Sequence, residues 1–238
     1  MEGLLLVNKP SGMTSHDVVE VVRRKLGMRR IGHTGTLDPM AEGLLVLLVG
    51  PATKHQQALQ AQEKTYDAVL RLGTQTDTGD AMGRPIRTAP VPPMERARLA
   101  DLLATFEGPF LQTPPAYSAV KVQGRPAYWW ARRQRPVTLA ARRIQVFGIS
   151  LLDCTQETIT FRVHCSHGTY VRALAESLAE RLGTVGHLAG LVRLRVGRWG
   201  LEEARPLGWI AQASAEALTR ELRPVTPTAV PDPSARSS

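Results

Sequence analysis

Cysteine is nearly absent from this chain. Cys154 and Cys165 are the only two in 238 residues, and without a C-x-x-C pair they argue against a zinc framework or a secreted disulfide scaffold. A reducing compartment follows. Long apolar runs are missing too: the longest, Leu44 to Val49, is far short of the ~20 residues that span a bilayer as a helix. Near the N-terminus Glu2 and then Asn8-Lys9-Pro10 stand where the apolar stretch of a secretory leader would have to continue. The chain therefore reads as a soluble cytoplasmic protein. Acidic residues are too few to balance the bases, 21 against 30, which leaves a net charge of +9. Lysine is scarce, with only five (9, 25, 54, 64 and 121) among those 30 cations. A basic surplus favours a polyanionic partner, nucleic acid first and an anionic membrane surface second. The planar arginine fork suits phosphate and base stacking, although codon bias also accounts for an arginine excess.

At 43% hydrophobic the chain can bury a sizeable core, which excludes wholesale disorder. Its length fits one large domain or two small ones at a prior of about 150 residues each. Leu4 to Val7 reads as a short buried strand closed by Asn8-Lys9-Pro10-Ser11-Gly12. Thr14 and Asp17 have the spacing of a capping box, and Val18, Val19, Val22 and Leu26 form a helical stripe stopped by Gly27. Glycines 32, 35 and 43 lead into a strand over Leu44 to Val49. Alternation predicts a strand with Tyr66, Ala68, Leu70 and Leu72 on one face. A helix is predicted between Pro93 and Gly108, and a strand over Tyr117 to Val122. Ile144 to Leu152, bulged at Gly148, and Ile159 to Cys165 look like a hairpin. Val171, Leu174, Ala175, Leu178 and Leu182 mark a helix stopped by Gly183. In the late strand Leu188 to Val196, the residues Leu191, Arg193 and Arg195 share one face. A weak helix runs towards Leu222, and the Pro-rich residues from Arg223 to Ser238 read as a disordered tail.

The segment Gly32-His33-Thr34-Gly35-Thr36-Leu37-Asp38-Pro39-Met40-Ala41-Glu42-Gly43 is no phosphate cradle, because it lacks Gly-Lys-Ser/Thr. It does supply one carboxylate, Asp38, whose backbone the following proline pushes out of the helical region. That makes a stiff pedestal for a reactive group; a turn residue bonding its own backbone is the bland alternative. Arg172 falls in the first turn of a helix, where the macrodipole disfavours a cation. Either something compensates it or it faces solvent. His164 and Cys165 point to opposite faces of a strand and make a poor metal site. Asp77-Thr78-Gly79-Asp80 reads as a turn. Tyr128, Trp129 and Trp130 beside Arg132 and Arg133 can stack on bases, with core packing expected for at least one of them.

Several collinear blocks resemble the TruB family of tRNA pseudouridine-55 synthases. They are Asn8-Lys9-Pro10-Ser11-Gly12-Met13-Thr14-Ser15, Gly32 to Pro39, Lys64-Thr65-Tyr66, Leu72-Gly73 leading to Thr76-Asp77-Thr78-Gly79-Asp80, Gln112 to Lys121, Gly168-Thr169-Tyr170-Val171-Arg172 and Leu191-Val192-Arg193-Leu194. The resemblance implies an α+β pseudouridine synthase fold, a mixed, largely antiparallel sheet flanked by helices with a central RNA-binding cleft. It implies an isomerase that flips a uridine out of the tRNA T-loop, position 55, and breaks and re-forms its glycosidic bond, with Asp38 as the catalytic aspartate. By the same resemblance Tyr66 stacks on the target base, Arg172 pairs with Asp38, Tyr170 and Leu191 line the pocket, His33 helps fill the space the base vacates, and Lys9 buttresses the catalytic loop. The reaction is neither a redox step nor a hydrolysis, so neither cofactor nor metal is expected. The expected partner is the T-arm of tRNA, with no membrane, no obligate protein partner and a monomeric state. Residues 1–211 are expected as the catalytic domain and 212–238 as a short extension, disordered from 223, in place of the family's usual C-terminal PUA domain. Guide-RNA-dependent relatives, a tRNA-folding role and an aspartate-dependent nucleoside hydrolase are the competing readings.

Overall fold

The computed structural model describes residues 1–135 and 137–225. The chain packs as two units, one built from Met1–Tyr66 and the described residues from Val192 on, the other from Asp67–Leu191. It leaves the first unit inside the strand Lys64–Leu72 and re-enters it inside the strand Gly186–Val196.

In the first unit the strand Glu42–Val49 has neighbours on both edges. Gly3–Lys9 pairs antiparallel along one edge, from Gly3 opposite Val49 to Lys9 opposite Gly43. On the other edge Ile31–His33 pairs antiparallel near Val49, and Val192 and Arg193 pair parallel with Glu42 and Gly43. A strand enclosed in this way reads as a continuous apolar run, and every side chain from Leu44 to Val49 is fully buried. The helix Ser15–Leu26 starts at a capping box between Thr14 and Asp17 and stops at Gly27, whose φ of 60° is left-handed. Such a cap stabilises a helix by about 1 kcal/mol. Val18, Val19 and Val22 are its buried stripe, and it packs against the helix Leu207–Gln212. Leu4, Leu6, Leu44, Val46, Leu48, Leu59, Val196 and Trp199 form the core beside them. A second short helix follows at Ala215–Arg220. Arg223, the first residue of the expected tail, exchanges two backbone hydrogen bonds with Leu4 and pairs its guanidinium with Glu203. Residues 226–238 lie outside the described residues.

In the second unit the strand Arg142–Cys154 pairs antiparallel with Thr158–Cys165 and with Gly108–Gln112. Its register shifts between Val146 and Gly148, at the expected bulge, and again between Leu151 and Asp153. Ile159, Phe161, Val163 and Cys165 share a fully buried face, as alternation predicts. The helix Arg96–Ala104 packs on Arg142–Cys154, with Leu99 and Leu103 buried. The helix Val171–Arg181 carries the buried stripe Val171, Leu174, Ala175 and Leu178. A hairpin of Thr74–Thr76 and Pro85–Thr88 flanks the turn at residues 77–80.

One prediction needs correction: Tyr117 to Val122 is a strand only at Lys121–Val122, in a two-strand hairpin with Arg125–Pro126. The carbonyls that would have formed a ladder are taken elsewhere. That of Tyr117 accepts the Arg172 guanidinium, and those of Ser118 and Val120 accept the N–H groups of Tyr128 and Ala127 at the start of the helix Ala127–Ala131. The fold is thus a mixed α/β one, its strands mostly antiparallel and flanked by helices. Among the described residues no helix is long and apolar enough to cross a membrane.

Candidate active site

Asp38 sits in the loop between the paired strands Ile31–His33 and Glu42–Val49. The loop contains no helix, in keeping with Pro39 after the aspartate. Leu37 and Met40 on either side of Asp38-Pro39 are buried anchors, while Asp38 itself is half-buried. Its flanks are fastened at almost every residue. The Ser15 hydroxyl accepts the Leu37 N–H at 2.8 Å and donates to the Leu37 carbonyl at 3.1 Å. The Pro39 carbonyl accepts the Gly12 N–H at 2.8 Å, and Ser11 Oγ donates to the Met40 carbonyl at 3.1 Å. The loop is thereby sewn to the segment that Lys9-Pro10-Ser11-Gly12 contributes after the first strand.

Two buried cations complete the loop's fastening. Lys9 is wholly buried, and its ammonium donates to the carbonyls of Met13 at 2.7 Å, Pro10 at 2.9 Å and Pro39 at 3.4 Å. Burial lowers its pKa to about 8, with Arg193 adding to the effect and the carboxylates of Glu42, Asp38 and Asp17 opposing it. Arg193, 1% exposed, donates from Nε to the Leu44 carbonyl at 2.7 Å, from Nη2 to Gly35 at 3.1 Å and from Nη1 to Thr36 at 3.4 Å. His33 lies half-buried at the loop's entrance, where burial and then Arg193 lower its pKa. At neutral pH it is an uncharged ring whose Nδ1 accepts the Gly35 N–H at 3.4 Å. Tyr66, on the strand Lys64–Leu72, is 8% exposed.

Arg172 belongs to the second unit, and the solvent-facing alternative is wrong for it: the side chain is 4% exposed. Compensation for its place in the first helical turn comes from Asp80 Oδ2, 3.8 Å from Nε. Its fork also donates to the carbonyls of Thr78 at 2.6 Å and Tyr117 at 2.8 Å. Asp80 is itself held, its Oδ1 accepting from Thr78 Oγ1 at 2.6 Å and from the Met82 N–H at 3.0 Å. One turn along the helix, Glu176 lies against this turn, and burial raises its pKa. Gly79, at φ 73°, holds a left-handed conformation that side chains rarely adopt, and a Cβ there would lie 3.2 Å from the Glu176 carboxyl. Tyr170 precedes the helix with no side-chain cap, and Gln112 clamps its backbone, accepting its N–H at 2.8 Å and donating to its carbonyl at 3.0 Å. Leu191, 8% exposed, is on the strand Gly186–Val196.

None of Tyr128, Trp129 and Trp130 is buried, so the core packing expected for at least one of them is not found. Trp130 is spent locally, its indole N–H donating to the Val122 carbonyl, while Arg133 stacks 3.8 Å from the Trp129 ring and Tyr128 stays exposed. Among the described residues no group of three or more His, Cys, Asp or Glu side chains can hold a metal. Sequence reasoning missed Ser15, Asp80 and Arg193 as site-bearing residues. Arg193 shares a strand face with Leu191, and both are buried, although Arg195 on the same face is exposed.

The chain matches the family model described as TruB family pseudouridylate synthase (N terminal domain) over residues 23–171. It is 45% identical over 197 residues to tRNA pseudouridine synthase B of Hydrogenovibrio crunogenus, covering 83% of this chain and 65% of that protein. Against the protein of the same name from Opitutus terrae it is 44% identical, covering 94% of this chain and 93% of the relative. Among solved structures, a chain of a Cbf5–Nop10–Gar1 complex superposes with a TM-score of 0.71 at 27% identity, covering 93% of this chain and 60% of that one.

Proposed function

This chain belongs to the TruB family of pseudouridylate synthases, isomerases that modify tRNA, and from that premise we propose that it converts uridine 55 in the T-loop of tRNA to pseudouridine, with Asp38 as the catalytic residue. The observation that carries the proposal is the mounting of Asp38: one half-exposed carboxylate on a loop whose neighbouring residues are fastened by Ser11, Ser15, Lys9 and Arg193. A carboxylate so mounted can be presented to a reacting sugar with little freedom left to lose.

The reaction breaks the bond from C1′ to N1, turns the uracil and joins C1′ to C5, whose proton is then lost. Asp38 acts either by attacking the sugar or base or by removing a ribose proton. A uridine in a folded loop must first be unstacked, at a cost of a few kcal/mol. Stacking on an aromatic ring returns about 1–3 kcal/mol per base, which is the role of Tyr66. On the family pattern Arg172 is the cation partner of Asp38, Tyr170 and Leu191 line the uracil pocket, His33 fills the space left by the base, and Lys9 supports the loop. An uncharged His33 suits that task, since a neutral ring can replace a stacked base without importing a charge. The protein is assigned to the cytoplasm, acting on tRNA as a monomer.

The test uses a tRNA transcript tritiated at uridine C5. Tritium is released to water without free uracil, and Asp38→Asn abolishes release while tRNA binding persists. Free uracil would make the chain a hydrolase, and undiminished release from Asp38→Asn would remove the catalytic assignment.

A further inference from the structure

Arg193 is a cation buried on the strand Gly186–Val196. Burying a guanidinium is expensive unless its donors are satisfied, and at 1% exposure this side chain has no surface to offer a phosphate. Among the described residues it forms no ion pair with a carboxylate; its hydrogen bonds go to the backbone carbonyls of Gly35, Thr36 and Leu44. Gly35 and Thr36 enter the Asp38 loop, and Leu44 follows its exit. One side chain therefore ties the two ends of the loop together, with Asp38 between them.

We infer that Arg193 is a positioning residue, its guanidinium closing the neck of the loop and so fixing where the Asp38 carboxylate is presented. The inference rests on the assignment of Asp38 as the catalytic residue. The strand register makes it possible. Arg193 lies opposite Gly43 in the parallel pair, and Gly43, at φ 99°, brings its backbone so close to that of Arg193 that a Cβ would overlap it. This close approach carries the fork beneath both ends of the loop. Lys9 and Arg193 thus hold different parts: Lys9 the residue after Asp38, Arg193 the neck. The chemistry of the two also differs. Lys9, with a pKa of about 8, gives up its charge in mildly alkaline solution, whereas a guanidinium keeps its charge at any pH the fold survives. The neck therefore remains closed when the lysine lets go.

The test compares full-length wild type with Arg193→Met, Arg193→Lys and the reference Asp38→Asn, measuring the single-turnover rate on saturating tRNA transcript and, separately, the tRNA dissociation constant. A misplacement near 1 Å costs about a hundredfold in rate, so Arg193→Met loses about that much while its tRNA dissociation constant stays within about threefold of wild type. Lysine reaches one carbonyl instead of three, and Arg193→Lys falls between the two. Rates within about twofold of wild type, or a loss confined to tRNA binding, overturn the inference. If Arg193→Met does not fold, Arg193→Lys decides by the same split between rate and binding. Activity in Asp38→Asn would overturn the reading of the site itself. Inactive Asp38→Asn beside fast Arg193 variants would overturn only the role of Arg193.

Discussion

At the scale of single residues, buried polar groups do most of the holding and are the ones sequence reveals least. Asp38 was legible because proline follows it and glycines surround it, a local pattern. Asp80 was legible only as part of a turn, since its value comes from Arg172, which stands 92 positions further along the chain. Asp80→Asn keeps the hydrogen bonds from Thr78 and Met82 but removes the charge beside a buried guanidinium. We expect a stability loss of about 1–3 kcal/mol, measured by urea unfolding, and a slower chemical step. Lys9 gives a pH prediction. Its folded-state pKa of about 8 lies below the ordinary lysine value of 10.5, so between those values the unfolded chain holds more protons and stability rises with pH. Activity moves the other way: as pH climbs through about 8 the ammonium loses its proton and its hold on Pro39. Single-turnover rates should fall over that window, and Lys9→Arg should shift the fall to higher pH.

At the scale of elements, those stabilised by neighbours in sequence were read well. The helix Ser15–Leu26 has its capping box and its left-handed glycine stop where the local pattern puts them. The expected strand from Tyr117 failed because its carbonyls serve Arg172 and the following helix, partners that periodicity cannot register. The first turn of Ser15–Leu26 also does a second job that its sequence hides, since Ser15 bonds both polar groups of Leu37. Ser15→Ala leaves a buried N–H without its acceptor, and the chain should lose about 1–3 kcal/mol in urea unfolding. Gly43→Ala meets the Arg193 backbone and a positive φ together. It should disrupt the strand pair that carries the loop, seen as a lowered Tm and lost activity.

At the scale of the whole molecule, Lys9, His33, Asp38 and Tyr66 belong to one unit and Tyr170, Arg172 and Leu191 to the other. Sequence blocks placed these residues in order along the chain, but the division inside two strands was not readable, because neither crossing point is marked by a turn or a linker. Net charge was readable at once. With +9 spread largely over arginines, tRNA affinity should depend steeply on salt; a protein contacting about six to ten phosphates loses about 10³–10⁵ in affinity between 50 and 200 mM. A dissociation constant indifferent to salt would remove phosphate contacts as the source of affinity. The most direct test of the account is to map the product. After reaction with an unmodified tRNA transcript, carbodiimide adducts that survive alkali mark pseudouridine as stops in reverse transcription. The account predicts one stop, at the T-loop uridine, with wild-type protein and none with Asp38→Asn. A stop at another uridine, or the same stop with Asp38→Asn, would contradict it.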